Sequence, residues 1–177
     1  MPEAPRSPTV RLLAISGSLR AESVNTAALE ALARLSPASV QVTLFVGLAD
    51  IPAFNPDLDG ETVPSPVERW RKHIQSADGL VICTPEYAHG VPGALKNALD
   101  WLVSFPPFAG KRVVLLNARP RATHAIASLR ETLSVMSAQL LPDATLPLDG
   151  NRYDAEKLLA MPEVPAEIQR VLAAFGK

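Results

Sequence analysis

The stretch "AISGSLRAESVNTAAL", residues 14–29, joins the end of an apolar run to the beginning of a helical pattern. The run itself, residues 9–15, is short and continuously apolar, which is typical of a strand buried on both faces of a parallel sheet. Beyond the junction, apolar residues recur at helical spacing. The stretch therefore predicts a buried strand followed directly by a helix that begins near Ser23, which is the first unit of an α/β fold.

The same alternation continues to the end of the chain. Further strands are predicted at residues 40–46, 79–84 and 111–117, with an interrupted fifth strand at 139–148. Five strand–helix units predict an open parallel sheet covered by helices on both faces, a three-layer α/β architecture. Helical spacing is found at 67–77, at 95–105 with Pro92 in the first turn, at 126–136, and at 168–175 with a start at Pro165.

Composition narrows the class of protein. The 177 residues, 47% of them hydrophobic, predict one domain over 1–177 with 1–8 as a flexible arm. A net charge of −1 gives no reason to expect nucleic acid or a membrane surface as a partner. Cys83 is the only cysteine, which excludes disulfides within the chain and thiolate-rich metal sites. We expect no metal site, and we expect a reducing compartment, the cytoplasm. The sequence contains no apolar run of the roughly 18 residues that a membrane span needs.

Hydroxyl and cationic side chains follow the first strand. In open α/β sheets, ligands bind beyond the carboxyl ends of the strands, and the following helix start offers unpaired N–H groups and a partial positive charge. Together these features predict an anion site, most naturally for a phosphate. The alternative is that one serine only caps the helix and the arginine is solvated. The residues concerned are Ser16, Ser18, Arg20, Ser23 and Asn25.

The nine glycines exclude two common phosphate sites. Their positions form neither a G-x-G-x-x-G dinucleotide fingerprint nor a G-x-x-x-x-G-K-[ST] loop. A single phosphate held by side-chain hydroxyls therefore fits a mononucleotide better than a pyrophosphate.

A second group of candidate residues follows the third strand, in "TPEYAHGVPGALKNALDWL", residues 84–102. Its prolines and glycines predict a long rigid turn whose backbone groups can approach the edge of a flat heterocycle, with Tyr87 beside its plane. Structural alternatives are that Glu86 pairs with Lys96 or with another subunit, that Tyr87 packs in an interface, and that His89 is solvated.

"GSLRAESVN" (17–25) and "TPEYAHGVPGALKNALDW" (84–101), with "DIPAFNPDLD" (50–59) and "SADGLVICTPEY" (76–87), closely resemble the NADPH-dependent FMN reductase family. This group includes quinone, chromate and azo-dye reductases, and the resemblance covers almost the whole chain. It implies a flavodoxin-like sandwich with a five-stranded parallel sheet in the order 2-1-3-4-5. It also implies non-covalent FMN, NADPH or NADH as electron donor, and a homodimer or homotetramer.

The resemblance also implies which residues hold the cofactor. The matching phosphate loop contributes Ser18, Leu19, Arg20, Ser23, Val24 and Asn25, the ring-binding loop Pro85, Glu86, Tyr87 and Ala88, and the fourth strand Asn117. Because a flavin carries the chemistry itself, no side chain is assigned a catalytic role. The implied reaction passes hydride from NADPH through FMN to a small acceptor such as a quinone, free flavin, azo compound or metal oxyanion.

Two positions depart from the family pattern. Ala88 stands where the family usually has asparagine. Residues 117–129, "NARPRATHAIASL", contain no glycine where the family tends to have a serine- and glycine-rich turn. Arg119, Arg121 and His124 are therefore candidates to face the flavin or a substrate, for which a cationic pair would suit the extra phosphate of NADPH or an anionic acceptor. The alternative is that both arginines are solvated at a helix start.

Two alternative functions are compatible with the sequence. A flavodoxin-type electron carrier would share the fold and FMN, but such carriers usually have a strongly acidic surface, and the net charge of −1 argues against one. A flavin-free relative with a regulatory role is the other alternative.

Overall fold

The computed structural model describes residues 9–150 and 152–176, so the predicted arm at 1–8 lies outside the described residues. Within them, strands and helices alternate in the predicted order. The strands are β1 (Val10–Ser16), β2 (Val40–Leu44), β3 (Gly79–Cys83), β4 (Arg112–Asn117), β5 (Gln139–Leu140) and β6 (Ala144–Thr145). The helices are α1 (Val24–Leu35), α2 (Ser65–Ser76), α3 (Gly93–Asp100), α4 (Thr123–Val135), α5 (Ala155–Leu159) and α6 (Glu163–Ala174).

The sheet is parallel throughout, with the order β2-β1-β3-β4-β5. This confirms the predicted flavodoxin-like topology. The interrupted fifth strand is also confirmed, because β5 and β6 both pair with β4, one after the other along its length. Pro142, which has no backbone N–H to donate, lies between the two pieces.

Successive residues of each strand point to opposite faces of the sheet and fill two separate cores. Leu12 and Ala14 of β1 pack in one core with α1, α5 and α6. Leu13 and Ile15 pack in the other with α2, α3 and α4. All five residues of β3 are buried, as expected for a central strand covered on both faces.

The third helix is shorter than predicted. It ends at Asp100 and does not continue to residue 105, because the next turns close by i→i−3 hydrogen bonds such as Leu102 N–H to Leu99 C=O (2.9 Å). Phe105 precedes a proline, which disfavours helical backbone at that residue. Pro92 is the capping residue and not part of the first turn.

The sixth helix begins two residues earlier than predicted, at Glu163. Pro165 then occupies its third position, where a backbone N–H would have no intrahelical partner in any case. No periodic pattern in the sequence predicted α5, which has only five residues and depends on a local cap, the Asp154 side chain accepting from the N–H of Lys157 (2.8 Å).

The parallel arrangement positions the loops that matter for function. Since β1, β3 and β4 are neighbours and run in the same direction, their carboxyl ends meet at one edge of the sheet. The segments that follow them, residues 17–23, 84–92 and 118–122, therefore lie side by side. None of the helices in the described residues combines the length and the hydropathy needed to cross a bilayer.

Candidate functional site

A cavity of about 380 Å³ opens at this edge, between the loops that follow β1, β3 and β4. Most of the residues that the sequence assigned to the cofactor line it, so the structure brings together segments separated by some sixty residues. Three do not: Leu19 lines a neighbouring cavity, Ala88 lies at an exposed turn, and Asn117 is buried behind the third loop. The lining residues are Ser18, Arg20, Glu22, Ser23, Val24, Asn25, Pro85, Glu86, Tyr87, Arg119, Arg121 and Ala122.

The first loop ends in a capped helix whose first turn is still open. Ser23 is the capping residue of α1, and its Oγ accepts from the N–H of Asn25 at 3.2 Å. The N–H groups of Val24 and Thr26 have no acceptor among the described residues. The exposed Arg20 makes no ion pair with any described carboxylate. Capping therefore explains one of these polar residues and leaves open N–H donors at the start of α1 and a cation on the cavity wall.

Cys83 fixes the orientation of the Asn25 side chain. The Cys83 thiol donates to Asn25 Oδ1 at 3.4 Å, and both residues are buried. Burial raises the pKa of the Cys83 thiol to about 12, so the sulfur stays protonated and remains a donor. Because an S–H group pairs with the carbonyl oxygen of an amide, the Asn25 Nδ2 is the atom left to donate to a ligand.

The second loop is a tight turn closed by two backbone hydrogen bonds. Tyr87 N–H donates to Gly90 C=O at 3.1 Å, and Gly90 N–H donates to Tyr87 C=O at 2.9 Å. The two central residues, Ala88 (φ 48°) and His89 (φ 59°), both have left-handed backbone, as in a type I′ turn. Asparagine tolerates this conformation better than alanine does, which gives a physical account of the asparagine usual at position 88. Tyr87 remains 57% exposed on the cavity wall.

Glu86 fastens the second loop to the start of α4. Its Oε2 accepts from the N–H of Ala125 at 2.9 Å, and its Oε1 lies 3.2 Å from Nδ1 of His89. The helix has no side-chain cap of its own at Ala122, so the carboxylate supplies one. The Ala125 hydrogen bond lowers the pKa of Glu86 below its usual range, and the contact with His89 adds to this.

Glu86 does not pair with Lys96, which was one of the structural alternatives. Lys96 instead contacts Asp100 at 2.6 Å, one turn further along α3. The consequence for the cavity is that two helix starts border it in different states. The start of α4 already holds a carboxylate, whereas the start of α1 is open.

The third loop brings two arginines to the cavity. The N–H of Arg119 donates to Asn117 Oδ1 at 2.8 Å, which shapes the turn after β4. Arg119 is partly buried and Arg121 exposed, and both residues line the cavity. His124 does not; its ring packs edge-on against His89 with 4.3 Å between centroids.

Two lining residues were not among those assigned from the sequence. Glu22 lies inside the first loop, but its carboxylate gave no reason to assign it to an anion site. Ala122 has no functional group, and its place on the wall follows only from the path of the chain into α4. Nothing in the sequence marked Ala122 as a residue of the site.

The fold and this edge-of-sheet cavity define an α/β protein of the flavodoxin-like class. The model of the NADPH-dependent FMN reductase family matches residues 10–151. The chain belongs to this family, as its motifs indicated. It is accordingly an enzyme of the oxidoreductase class that works with FMN and NAD(P)H.

Individual proteins agree with this assignment. An NAD(P)H-dependent FMN reductase of Pseudomonas aeruginosa is 36% identical over 176 residues, covering 96% of this chain and 95% of the relative. A quinone reductase of Escherichia coli K12 is 42% identical over 112 residues, covering 62% of this chain and 60% of the relative. Among solved structures, the flavoenzyme NAD(P)H:(acceptor) oxidoreductase FerB of Paracoccus denitrificans superposes with a TM-score of 0.77 at 25% identity, over 94% of this chain and 95% of that one.

The residues around the cavity fit FMN by their chemistry. FMN combines one phosphate, a polar chain and a flat ring system. The first loop supplies hydroxyls, open N–H groups and Arg20, which suit a phosphate. The second loop supplies Pro85 and the Tyr87 ring, which suit a flat heterocycle. Groups that suit the phosphate thus lie at one end of the cavity, and groups that suit the flat ring system lie at the other.

Proposed function

We propose that this enzyme binds FMN non-covalently in the cavity at the carboxyl ends of β1, β3 and β4, takes hydride from NAD(P)H and transfers it to a small acceptor, foremost a quinone. One observation carries the proposal. The open start of α1, with Arg20 and the serines, faces the proline-framed loop of Tyr87 across a single cavity.

Electrostatics decides which end of the cavity takes the phosphate. Two helix starts border it, and each carries a partial positive charge. The Glu86 carboxylate neutralises the start of α4 through the N–H of Ala125, and a second anion there would be repelled. At the start of α1, no carboxylate of the described residues accepts from the first-turn N–H groups, although Glu22 lies on the same loop, and Arg20 and the Asn25 amide add donors. The phosphate therefore belongs on the first loop.

At the other end of the cavity, the chain positions the flavin ring and leaves its face accessible to donor and acceptor. Pro85 and the closed turn from Tyr87 to Gly90 hold backbone groups at fixed positions beside the ring site. Tyr87 is exposed, so donor and acceptor can approach in turn past the same side chain. FMN, when bound, supplies the hydride chemistry, and no acidic or nucleophilic side chain of this chain has to react.

A quinone is the acceptor that the relatives favour, because the Escherichia coli relative is named a quinone reductase. Free flavin, azo compounds and metal oxyanions are the alternatives to be compared with it. We also propose a cytoplasmic homodimer or homotetramer. The buried, unpaired Cys83 suits a reducing compartment, and light scattering on the purified protein measures the oligomer.

The decisive experiment is an FMN titration followed by anaerobic reduction. The purified protein is expected to bind FMN, and NADPH to bleach the flavin band, with steady NADPH consumption once a quinone such as menadione is added. Turnover without any protein partner excludes an electron carrier. A protein that binds no FMN contradicts the proposal and favours the flavin-free alternative.

The phosphate assignment has its own variant. Arg20→Ala should weaken FMN binding by about 1.5–3 kcal/mol, roughly 10- to 150-fold, the worth of a hydrogen bond to a charged group. Arg69→Ala is the control, since Arg69 is an exposed residue of α2 outside the cavity. An Arg20→Ala variant that holds FMN as tightly as the parent would contradict the assignment.

A further inference from the structure

We propose that Arg119 and Arg121 form a second anion subsite, which takes the 2′-phosphate of NADPH and makes the enzyme prefer NADPH to NADH. The inference rests on the proposed function, since it names the donor that reacts at the same cavity. It concerns the third loop, which in this chain has arginines and no glycine.

The first argument is the balance of charge around the cavity. Three arginines line it, and Arg20 is matched by the phosphate of FMN. Of the two glutamates on the wall, Glu86 is engaged by the Ala125 N–H, and Glu22 makes no ion pair among the described residues. Arg119 and Arg121 likewise have no described carboxylate partner. Two fixed positive charges on one wall of the cavity therefore form no ion pair with a carboxylate among the described residues.

Other arginines of the molecule show what a structural role looks like. Arg71 contacts Asp59 at 2.8 Å and also donates to the carbonyl of Trp101, and Arg130 pairs with Asp143. These side chains join neighbouring segments. Neither arginine of the third loop has a side-chain hydrogen bond to any described residue. Their guanidinium groups thus remain available to a ligand.

The second argument is that the positive charges of Arg119 and Arg121 are unfavourable at their position unless an anion binds there. Helix α4 begins at Thr123, and both arginines lie within the four residues before it. A positive charge near a helix start is unfavourable, because the helix dipole is positive there. Arg121 is exposed, so packing does not compensate. A bound anion would remove this unfavourable interaction.

The chemistry of the pair selects a phosphate monoester. Guanidinium groups bind phosphate oxygens through paired hydrogen bonds, and a monoester carries a charge of about −1.5 to −2 near neutral pH. NADPH differs from NADH by such a group. A second cavity of about 410 Å³ lies beside the same arginines, bordered by Pro147, Leu148 and Asp149, and offers room for the attached nucleoside. Asp149 accepts a hydrogen bond from the hydroxyl of Tyr153 at 2.7 Å and leaves the arginines unpaired.

The first test measures binding without turnover. Calorimetry on the FMN-loaded protein compares adenosine 2′,5′-bisphosphate with 5′-AMP, which lacks the 2′-phosphate. The parent should bind the bisphosphate at least about tenfold more tightly, and the double variant Arg119→Gln/Arg121→Gln should bind the two alike. Equal binding of both compounds by the parent would overturn the proposal.

The second test is the ratio of kcat/KM for NADPH to kcat/KM for NADH. The ratio should favour NADPH in the parent and fall about tenfold or more in the double variant. The fall should come from a higher KM for NADPH, with NADH kinetics little changed. Arg69→Gln, an exposed change outside the cavity, should leave the ratio as it is.

Three results would overturn the subsite. The first is an unchanged donor ratio. The second is a loss of FMN affinity in the double variant with the ratio intact, which would assign the arginines to the flavin. The third is a raised KM for chromate alone, which would assign them to an anionic acceptor. Conversely, a protein that binds the bisphosphate through these arginines but binds no FMN would refute the proposed function and leave the phosphate subsite in place.

Discussion

Gly17 lies directly against Thr84, so closely that a β-carbon on Gly17 would be 2.3 Å from Thr84 Oγ1. The N–H of Gly17 also donates to the carbonyl of Cys83 at 2.9 Å. The loop after β1 and the loop after β3 are therefore joined at their first residues. Through this contact, the proposed phosphate site and the proposed ring site keep a fixed distance.

Gly17→Ala should separate the two loops. The added carbon meets a fully buried side chain, so we expect a loss of about 1–3 kcal/mol in the free energy of unfolding together with weaker FMN binding. Chemical denaturation and an FMN titration measure the two effects. Gly60→Ala is the matched control, because a β-carbon there meets no atom within 4 Å. If the Gly17→Ala protein is as stable as the Gly60→Ala protein, the Thr84 side chain can move away from residue 17 without a measurable cost.

Ala88→Gly should stabilise the protein. Alanine at φ 48° is strained, and glycine removes the strain at some cost in chain entropy, so we expect a gain of about 0.5–1 kcal/mol. The same replacement at Ala127, an exposed residue within α4, should instead cost about 1 kcal/mol. Thermal and urea denaturation of both variants check the opposite signs. A loss of stability at both positions would mean that residue 88 is not strained.

The alternation of strands and helices was predictable because each buried strand and each helical stripe has its own periodicity. The order of the strands in the sheet was predictable only because the motif-bearing loops resemble a family of known topology. The position of the cavity was predictable from the parallel sheet, since neighbouring parallel strands bring their carboxyl ends together. Ser23 as the cap of α1 was predictable from its position alone. These features depend on residues near each other in sequence.

The features that were missed depend on distant partners or on very short segments. Glu86 is 39 residues from Ala125, and nothing in the sequence says that α4 lacks a cap which this carboxylate supplies. Helix α5 has five residues, too few for a periodic signal. The early end of α3 depends on how the chain turns after Asp100. A tertiary contact decides the first of these features, whereas the shortness of α5 and the local turns after Asp100 decide the other two.

Glu86→Gln should make stability less dependent on pH in the acid range. The folded state lowers the pKa of Glu86, so the ionised carboxylate stabilises the fold above about pH 4.3, the usual glutamate value, and this contribution is lost as the pH falls through the lowered folded value. The variant should therefore be less stable than the parent at pH 7, with the difference shrinking towards pH 3.

Urea denaturation of both proteins at several pH values measures that difference. Glu131→Gln, an exposed change on the same helix α4, is the control and should follow the parent throughout. A difference between parent and Glu86→Gln that stays constant from pH 7 to pH 3 would show that the charge of Glu86 does not hold the start of α4.

Tyr87→Ala should change the choice of acceptor more than the retention of FMN. The ring is 57% exposed on the cavity wall and lies on the second loop, away from the serines and Arg20 of the first. An aromatic contact is worth about 0.5–1.5 kcal/mol, so kcat/KM for a planar quinone should fall about 2- to 10-fold relative to ferricyanide, which offers no flat ring. Tyr87→Phe keeps the ring and should retain the parent's ratio. If the alanine variant instead keeps the parent's ratio of the two acceptors, Tyr87 does not contact the acceptor. If it loses FMN as Arg20→Ala is expected to, the ring supports the cofactor directly.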